Sequence, residues 1–212
     1  MTSSLTSSLF DGAFEALPLV AILRGLRPQE AEAVGAELYD AGFRMIEVPL
    51  NSPQPLESIE LLSRSLPADA LLGAGTVLSV QAVQEVKTAG GQLIVMPHAD
   101  TEVIRAAKAA GMFCVPGAAT PTEAFAAVHA GADAVKLFPA ELITPTLVRA
   151  MRAVLPPTLR LLPVGGITPE GMAPYRAAGV AGFGLGGALY QPGLSPAEVG
   201  ERARAFVRAW RG

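Results

Sequence analysis

Cysteine is almost absent from this chain: Cys114 is the only one in 212 residues. One thiol cannot form an internal disulfide, so a reducing, cytoplasmic setting is expected. Histidine is nearly as scarce, with His98 and His129 alone. So few nitrogen and sulfur ligands exclude a structural zinc site, and no metal is expected. Aromatic residues make up only 6%. Ala, Leu, Val and Gly must carry the packing, which suits many small strand–helix units better than a β-sandwich. Charge is low, at 17% of residues and a net −3, with no basic stripe. Neither nucleic acid nor an anionic membrane is an expected partner. No uncharged stretch is long enough to cross a bilayer. Residues 1–10 are rich in Ser and Thr and lack the basic-then-apolar pattern of a signal peptide. Residues 1–4 are expected to form a loose tail.

What is present is hydrophobic, half of all residues. A chain of this length can bury a large core as a single domain spanning 1–212. Short apolar runs recur at Leu19–Arg24, Met45–Leu50, Leu71–Val77, Leu93–Pro97, Phe113–Gly117, Ala134–Pro139, Arg160–Gly166 and Gly182–Gly187. Their near-continuous hydrophobicity is that of parallel strands covered on both faces. Between them lie Ala-rich amphipathic stretches with helix punctuation. Ser52-Pro53, Thr120-Pro121, Thr144-Pro145, Thr168-Pro169 and Ser195-Pro196 place a hydroxyl residue at the N-cap and proline at the first helical position. Ser79 and Asp100 can cap two more helices. Gly42, Gly90, Gly111, Gly131 and Gly179 stand where helices stop. The pattern is α/β, and eight such units most simply close into a (β/α)8 TIM barrel. A further helix, about Leu5–Ala16, would precede the first strand and plug the barrel floor. An open doubly wound sheet is the alternative fold. It ranks second because no run opens with the Gly-x-Gly-x-x-Gly fingerprint of a dinucleotide site.

Chemistry in such a barrel sits at the C-terminal strand ends. The first run ends in Arg24. The second holds Glu47 and exits through Asn51, and the third exits through Thr76. The sixth carries Lys136, while the seventh and eighth end in Gly165-Gly166 and Gly186-Gly187. A lysine inside an apolar strand is pushed toward its neutral, nucleophilic form. A structural ion pair between Lys136 and Glu47 is the plainer reading of both. Arg24 offers a fork for a carboxylate or phosphate, or merely ends a strand at the surface. The glycine pairs are ordinary turns, or a phosphate cradle of backbone N–H groups where barrels often bind one. Thr120 doubles as an N-cap, His98 as a loop residue, and Cys114 fits the core. Phe206 and Trp210 are expected to pack the last helix against the barrel or a neighbouring subunit. An amine, a carboxylate and an anion site together suggest Schiff-base chemistry, with Glu47 moving the protons. A barrel isomerase using Glu47 as base and a non-catalytic binding scaffold remain as alternatives.

Seven segments, in order, carry a resemblance. They are Ala21-Ile22-Leu23-Arg24-Gly25, Ile46-Glu47-Val48-Pro49-Leu50-Asn51-Ser52-Pro53, Gly73-Ala74-Gly75-Thr76-Val77, Val115-Pro116-Gly117, Lys136-Leu137-Phe138-Pro139-Ala140, Val164-Gly165-Gly166-Ile167 and Gly184-Leu185-Gly186. From about Leu19 to Arg211 the chain resembles the class I 2-keto-3-deoxy-6-phosphogluconate and 6-phosphogalactonate (KDPG/KDPGal) aldolases. The resemblance implies cleavage of a phosphorylated keto-deoxy acid to pyruvate and glyceraldehyde 3-phosphate. It implies Lys136 as the Schiff-base residue and Glu47 as the acid/base, helped by a bound water. Arg24 and Thr76 would lie near the pyruvate half, and Gly165, Gly166, Gly186 and Gly187 would hold the phosphate. It further implies a homotrimer without a cofactor. Gluconate-type members carry arginine where this chain has Asn51, in a context that looks like the galactonate branch, with the gluconate epimer as the alternative substrate. The second glycine loop often carries serine where this chain has Gly187, so the phosphate would lean more on backbone N–H groups.

Overall fold

The computed structural model describes residues 2–212, with side chains from Leu9 onward. The tail expected at residues 1–4 lies outside the described side chains. Every apolar run yields strand: β1 (Leu19–Ile22), β2 (Met45–Pro49), β3 (Leu71–Gly75), β4 (Leu93–Val95), β5 (Phe113–Val115), β6 (Gly117–Ala118), β7 (Val135–Leu137), β8 (Leu161–Pro163) and β9 (Phe183–Leu185). The fifth run is split because Pro116 has no N–H for a ladder. Thus β5 pairs with β4, and β6 pairs with β7. The Pro116 carbonyl still accepts from the Lys136 N–H at 2.9 Å, so the stave stays continuous in space.

All pairings are parallel, in the order β5-β4-β3-β2-β1-β9 and β6-β7-β8. The ring closes between β8 and β9. There the Ala181 N–H donates to the Leu161 carbonyl at 3.0 Å, and Val164 bridges Gly184. The strands therefore form a closed barrel, and the open-sheet alternative is excluded.

Inward-pointing side chains fill the lower barrel. Val20, Met45, Leu71, Leu93, Phe113 and Leu162 pack with Phe10 and Phe14 of α1 (Thr2–Ala16). The Phe10 ring stacks on Phe113 with 5.0 Å between centroids. Arg160 pairs with Asp11 at 2.8 Å and covers the Phe14 ring. This helix is the expected floor plug. A second, larger core lies between the outer strand faces and the surrounding helices.

Those helices are α2 (Pro28–Ala41), α3 (Pro55–Ser65), α4 (Val80–Thr88), α5 (Thr101–Ala109), α6 (Pro121–His129), α7 (Pro145–Arg152), α8 (Met172–Ala177) and α9 (Pro196–Arg211). Ser79, Asp100, Thr120, Thr144 and Ser195 all accept from the N–H groups they were expected to cap. Thr168 caps a 3-10 turn that leads into α8. Gly42, Gly90, Gly111, Gly131 and Gly179 all take positive φ beyond helix ends. Ser52-Pro53 departs from expectation. Helix α3 starts two residues later, after Gln54 in the left-handed region (φ 44°), and Ser52 turns inward instead. Phe206 is buried on α9, and the Trp210 ring meets Phe183 edge-on at 6.1 Å.

Candidate active site

Lys136 stands in the middle of β7, held by its own N–H to Pro116 and, through strand pairing, opposite Gly117 and Leu162. Alternation sends its side chain inward and up the barrel, with Phe138 two residues on. Its Nζ lies 4.7 Å from the Phe138 ring centroid, and only 6% of the residue is exposed. Burial holds the amine below its ordinary basicity. Glu47 partly opposes that shift, and Arg24 adds to it.

Glu47 stands in β2, paired with Ile22 on one side and Gly73 on the other. It is 1% exposed, and its Oε2 has no hydrogen-bond partner among the described residues. Burial lifts the carboxyl from an ordinary 4.5 to about 7, against the pull of Lys136, Arg24 and the Gly75 backbone. A methyl group at Gly75 would overlap this carboxylate, so the glycine is what admits Glu47 to the interior. Among the described residues no direct ion pair joins Lys136 and Glu47; the ion pairs found lie elsewhere. They are two groups with opposed shifts sharing one interior, which differs from the structural pair that was the plainer reading.

Above Lys136 a cavity of about 460 Å³ opens at the C-terminal strand ends. Arg24, Lys136, Gly165, Gly166, Gly186 and Gly187 all line it. Gly165 and Gly166 take φ of 119° and 60°, a conformation closed to most side chains. Glu141 packs behind this pair, where a side chain on either glycine would meet it. On the other loop, the Gly186 carbonyl accepts from Leu189 and Tyr190, while the Gly187 carbonyl accepts from Gln191 Nε2 at 3.0 Å. Asn51 reaches the cavity through Arg24, whose Nη1 donates to its Oδ1 at 2.7 Å. Thr76 follows Gly75 at the same end of the barrel, half-buried and outside the cavity lining. Its φ of 55° is an outlier for a β-branched residue. Thr120 is engaged by its own capping box, His98 is exposed on a loop, and Cys114 is core, its thiol pushed up to about 12 by burial.

Comparison with known proteins bears on this arrangement. A model of the family "Aldolase: KDPG and KHG aldolase" matches residues 11–199. The chain belongs to this family. A 2-dehydro-3-deoxy-6-phosphogalactonate aldolase of Escherichia coli is 48% identical over 92% of this chain and 95% of its own. A probable 2-dehydro-3-deoxy-6-phosphogalactonate aldolase of Rhizobium meliloti is also 48% identical, over 91% of each chain. A solved structure described as native KDPGal matches with a TM-score of 0.90 at 48% identity, over 92% of this chain and 95% of that one.

Several residues that line this cavity were not singled out from the sequence. Phe138, Val164, Ile167, Tyr190 and Gln191 also line the cavity. Phe138 was reachable from period-two alternation with Lys136, and Val164 from its place before a glycine pair. Tyr190 and Gln191 carried no signal, because they lie in an irregular loop whose direction depends on the turn at Gly186. Among the described residues no cluster of three or more His, Cys, Asp or Glu is placed to share a metal ion, and no helix is long and apolar enough to cross a membrane.

Proposed function

We propose that this chain cleaves 2-dehydro-3-deoxy-6-phosphogalactonate reversibly to pyruvate and glyceraldehyde 3-phosphate through a Schiff base on Lys136. One observation carries the reading: a buried amine with lowered basicity opens into a cavity rimmed by two glycine loops. The amine adds to the C2 ketone, and loss of water leaves an iminium. The Glu47 carboxylate takes the proton of the C4 hydroxyl. The C3–C4 bond breaks, its electron pair passes to the iminium, and the aldehyde departs from an enamine. Glu47 returns the proton to C3, and hydrolysis frees pyruvate and the amine. A carboxyl near 7 can work in both directions at neutral pH. Arg24 faces the carboxylate, with Asn51 beside it and Thr76 near the pyruvate half. Backbone N–H groups around Gly165, Gly166, Gly186 and Gly187 take the phosphate and orient the chain.

Asn51, and the galactonate names of relatives 48% identical, favour that epimer. The reading takes residues 1–212 as one catalytic domain of a cytoplasmic homotrimer that uses no cofactor. Sedimentation tests the trimer, and cleavage rates on the two C4 epimers test the substrate. Borohydride reduction in the presence of pyruvate tests the chemistry. A mass gain mapped to Lys136 is expected, and Lys136→Arg should lose both the adduct and at least about 10³-fold in kcat while keeping its fold. Turnover with an unmodified lysine would point to proton abstraction by Glu47 without a covalent step. Ligand binding with no turnover would leave a scaffold.

A further inference from the structure

Asn51 and Ser52, just beyond the end of β2, reach back over Arg24 and Gly25, just beyond the end of β1. Asn51 Oδ1 accepts from Arg24 Nη1 at 2.7 Å, and Ser52 Oγ accepts from the backbone N–H of Gly25 at 2.9 Å. Ser52 caps no helix and is only 8% exposed. A buried hydroxyl is retained for its partner, and here that partner is the peptide that carries Arg24.

We propose that Asn51 and Ser52 are positioning residues, a two-point clamp that sets Arg24 to meet the substrate carboxylate. The proposal rests on the aldolase reading above. Arg24 is exposed, and an exposed arginine samples many rotamers that must be ordered on binding. The Asn51 bond orders it beforehand and occupies one N–H of the fork, leaving the others for a carboxylate. Asn51 is neutral, so it orients the guanidinium without cancelling its charge.

Ser52 sets the second point. Gly25 has φ 86°, and its Cα faces Pro192, where a Cβ would come within 2.7 Å of Cγ. Pro192 follows Gln191, which holds the Gly187 carbonyl. The turn that Ser52 fixes is therefore packed against the loop that carries the second glycine pair. Displacing Gly25 would disturb both ends of the cavity.

Steady-state kinetics on the phosphorylated keto-deoxy acid test the clamp. Asn51→Ala should raise KM about tenfold, with kcat falling no more than about threefold, because only binding geometry is lost. Ser52→Ala should raise KM by a smaller factor, and Ser52→Thr should bring it back toward wild type. Asn51→Asp should raise KM as well, by neutralising Arg24. The decisive comparison is Arg24→Ala against Arg24→Ala/Asn51→Ala. Loss of Asn51 should cost nothing further once Arg24 is gone, since the two act as one unit. A full additional loss in that background, or a loss borne by kcat with KM unchanged, overturns the clamp. Asn51 is exposed, so this comparison stands even if Ser52→Ala folds poorly. Borohydride trapping on the wild type separates the two levels. No adduct there removes the aldolase reading, whereas an adduct with additive losses removes only the clamp.

Discussion

Position 47 couples burial, chemistry and stability in one carboxyl. Held at about 7 when folded and at an ordinary 4.5 when unfolded, Glu47 binds more protons in the folded chain between those values. Stability must then fall as pH rises through that window, by up to roughly 3 kcal/mol, and the cost is complete above about 7. Glu47→Gln removes the titration. Thermal melts at pH 5 and pH 8 should therefore differ more for the wild type than for the variant; parallel curves would show that Glu47 titrates normally. Deuterium exchange at the pyruvate methyl should nearly stop in the same variant, although a slow adduct still forms. Glu47 and Lys136 were both visible in the sequence as charges inside apolar strands. Asn51 was visible as the exit of the second strand, but its partner was not, and Ser52 was visible only as a residue type. Ser52 looked like a helix cap because hydroxyl-then-proline is the same signal whether or not the next turn is helical.

Strands and helices differ in how much a single side chain can be changed without reaching the cavity. Strand β3 carries Gly73 and Gly75, where methyl groups would overlap the Leu93 carbonyl and the Glu47 carboxylate. Gly75→Ala should lower stability by about 1–3 kcal/mol through overpacking. If Glu47 moves the protons as proposed, it should also reduce kcat by about 10²-fold, because it displaces that carboxylate. Normal kinetics in a merely less stable protein would mean that Glu47 tolerates the shift. Helix α1 makes the opposite case. Phe10 is 2% exposed and stacked on Phe113, far from the reacting end. Phe10→Ala should cost about 3–5 kcal/mol in denaturant melts while KM at low temperature stays near wild type. A raised KM would show that the floor shapes the mouth. Element identity was readable because strands, caps and stop glycines each leave a local signature. The break at Pro116 was not anticipated, since proline at the end of an apolar run marks either a strand end or an interruption.

The closed ring makes one unit of residues far apart in sequence, and ligand binding should be felt across it. Pyruvate at about one hundred times its Kd stabilises a binding-competent fold by about 2.7 kcal/mol. For a chain of this size that is a rise in Tm of roughly 5–10 °C. Lys136→Arg should lose most of the rise, and an equal rise in that variant would mean that binding does not depend on the covalent bond. The run of strands, the floor helix, the buried lysine and glutamate, and the glycine pairs were all determined by the sequence alone. Periodicity, capping and charge in an apolar setting act over a few residues and need no knowledge of what lies opposite. Tertiary structure alone decided that Ser52 answers to Gly25, that Asn51 holds Arg24, and that Tyr190 and Gln191 reach the cavity. Those contacts depend on where closure of the barrel sets one loop beside another, and no local pattern encodes that distance.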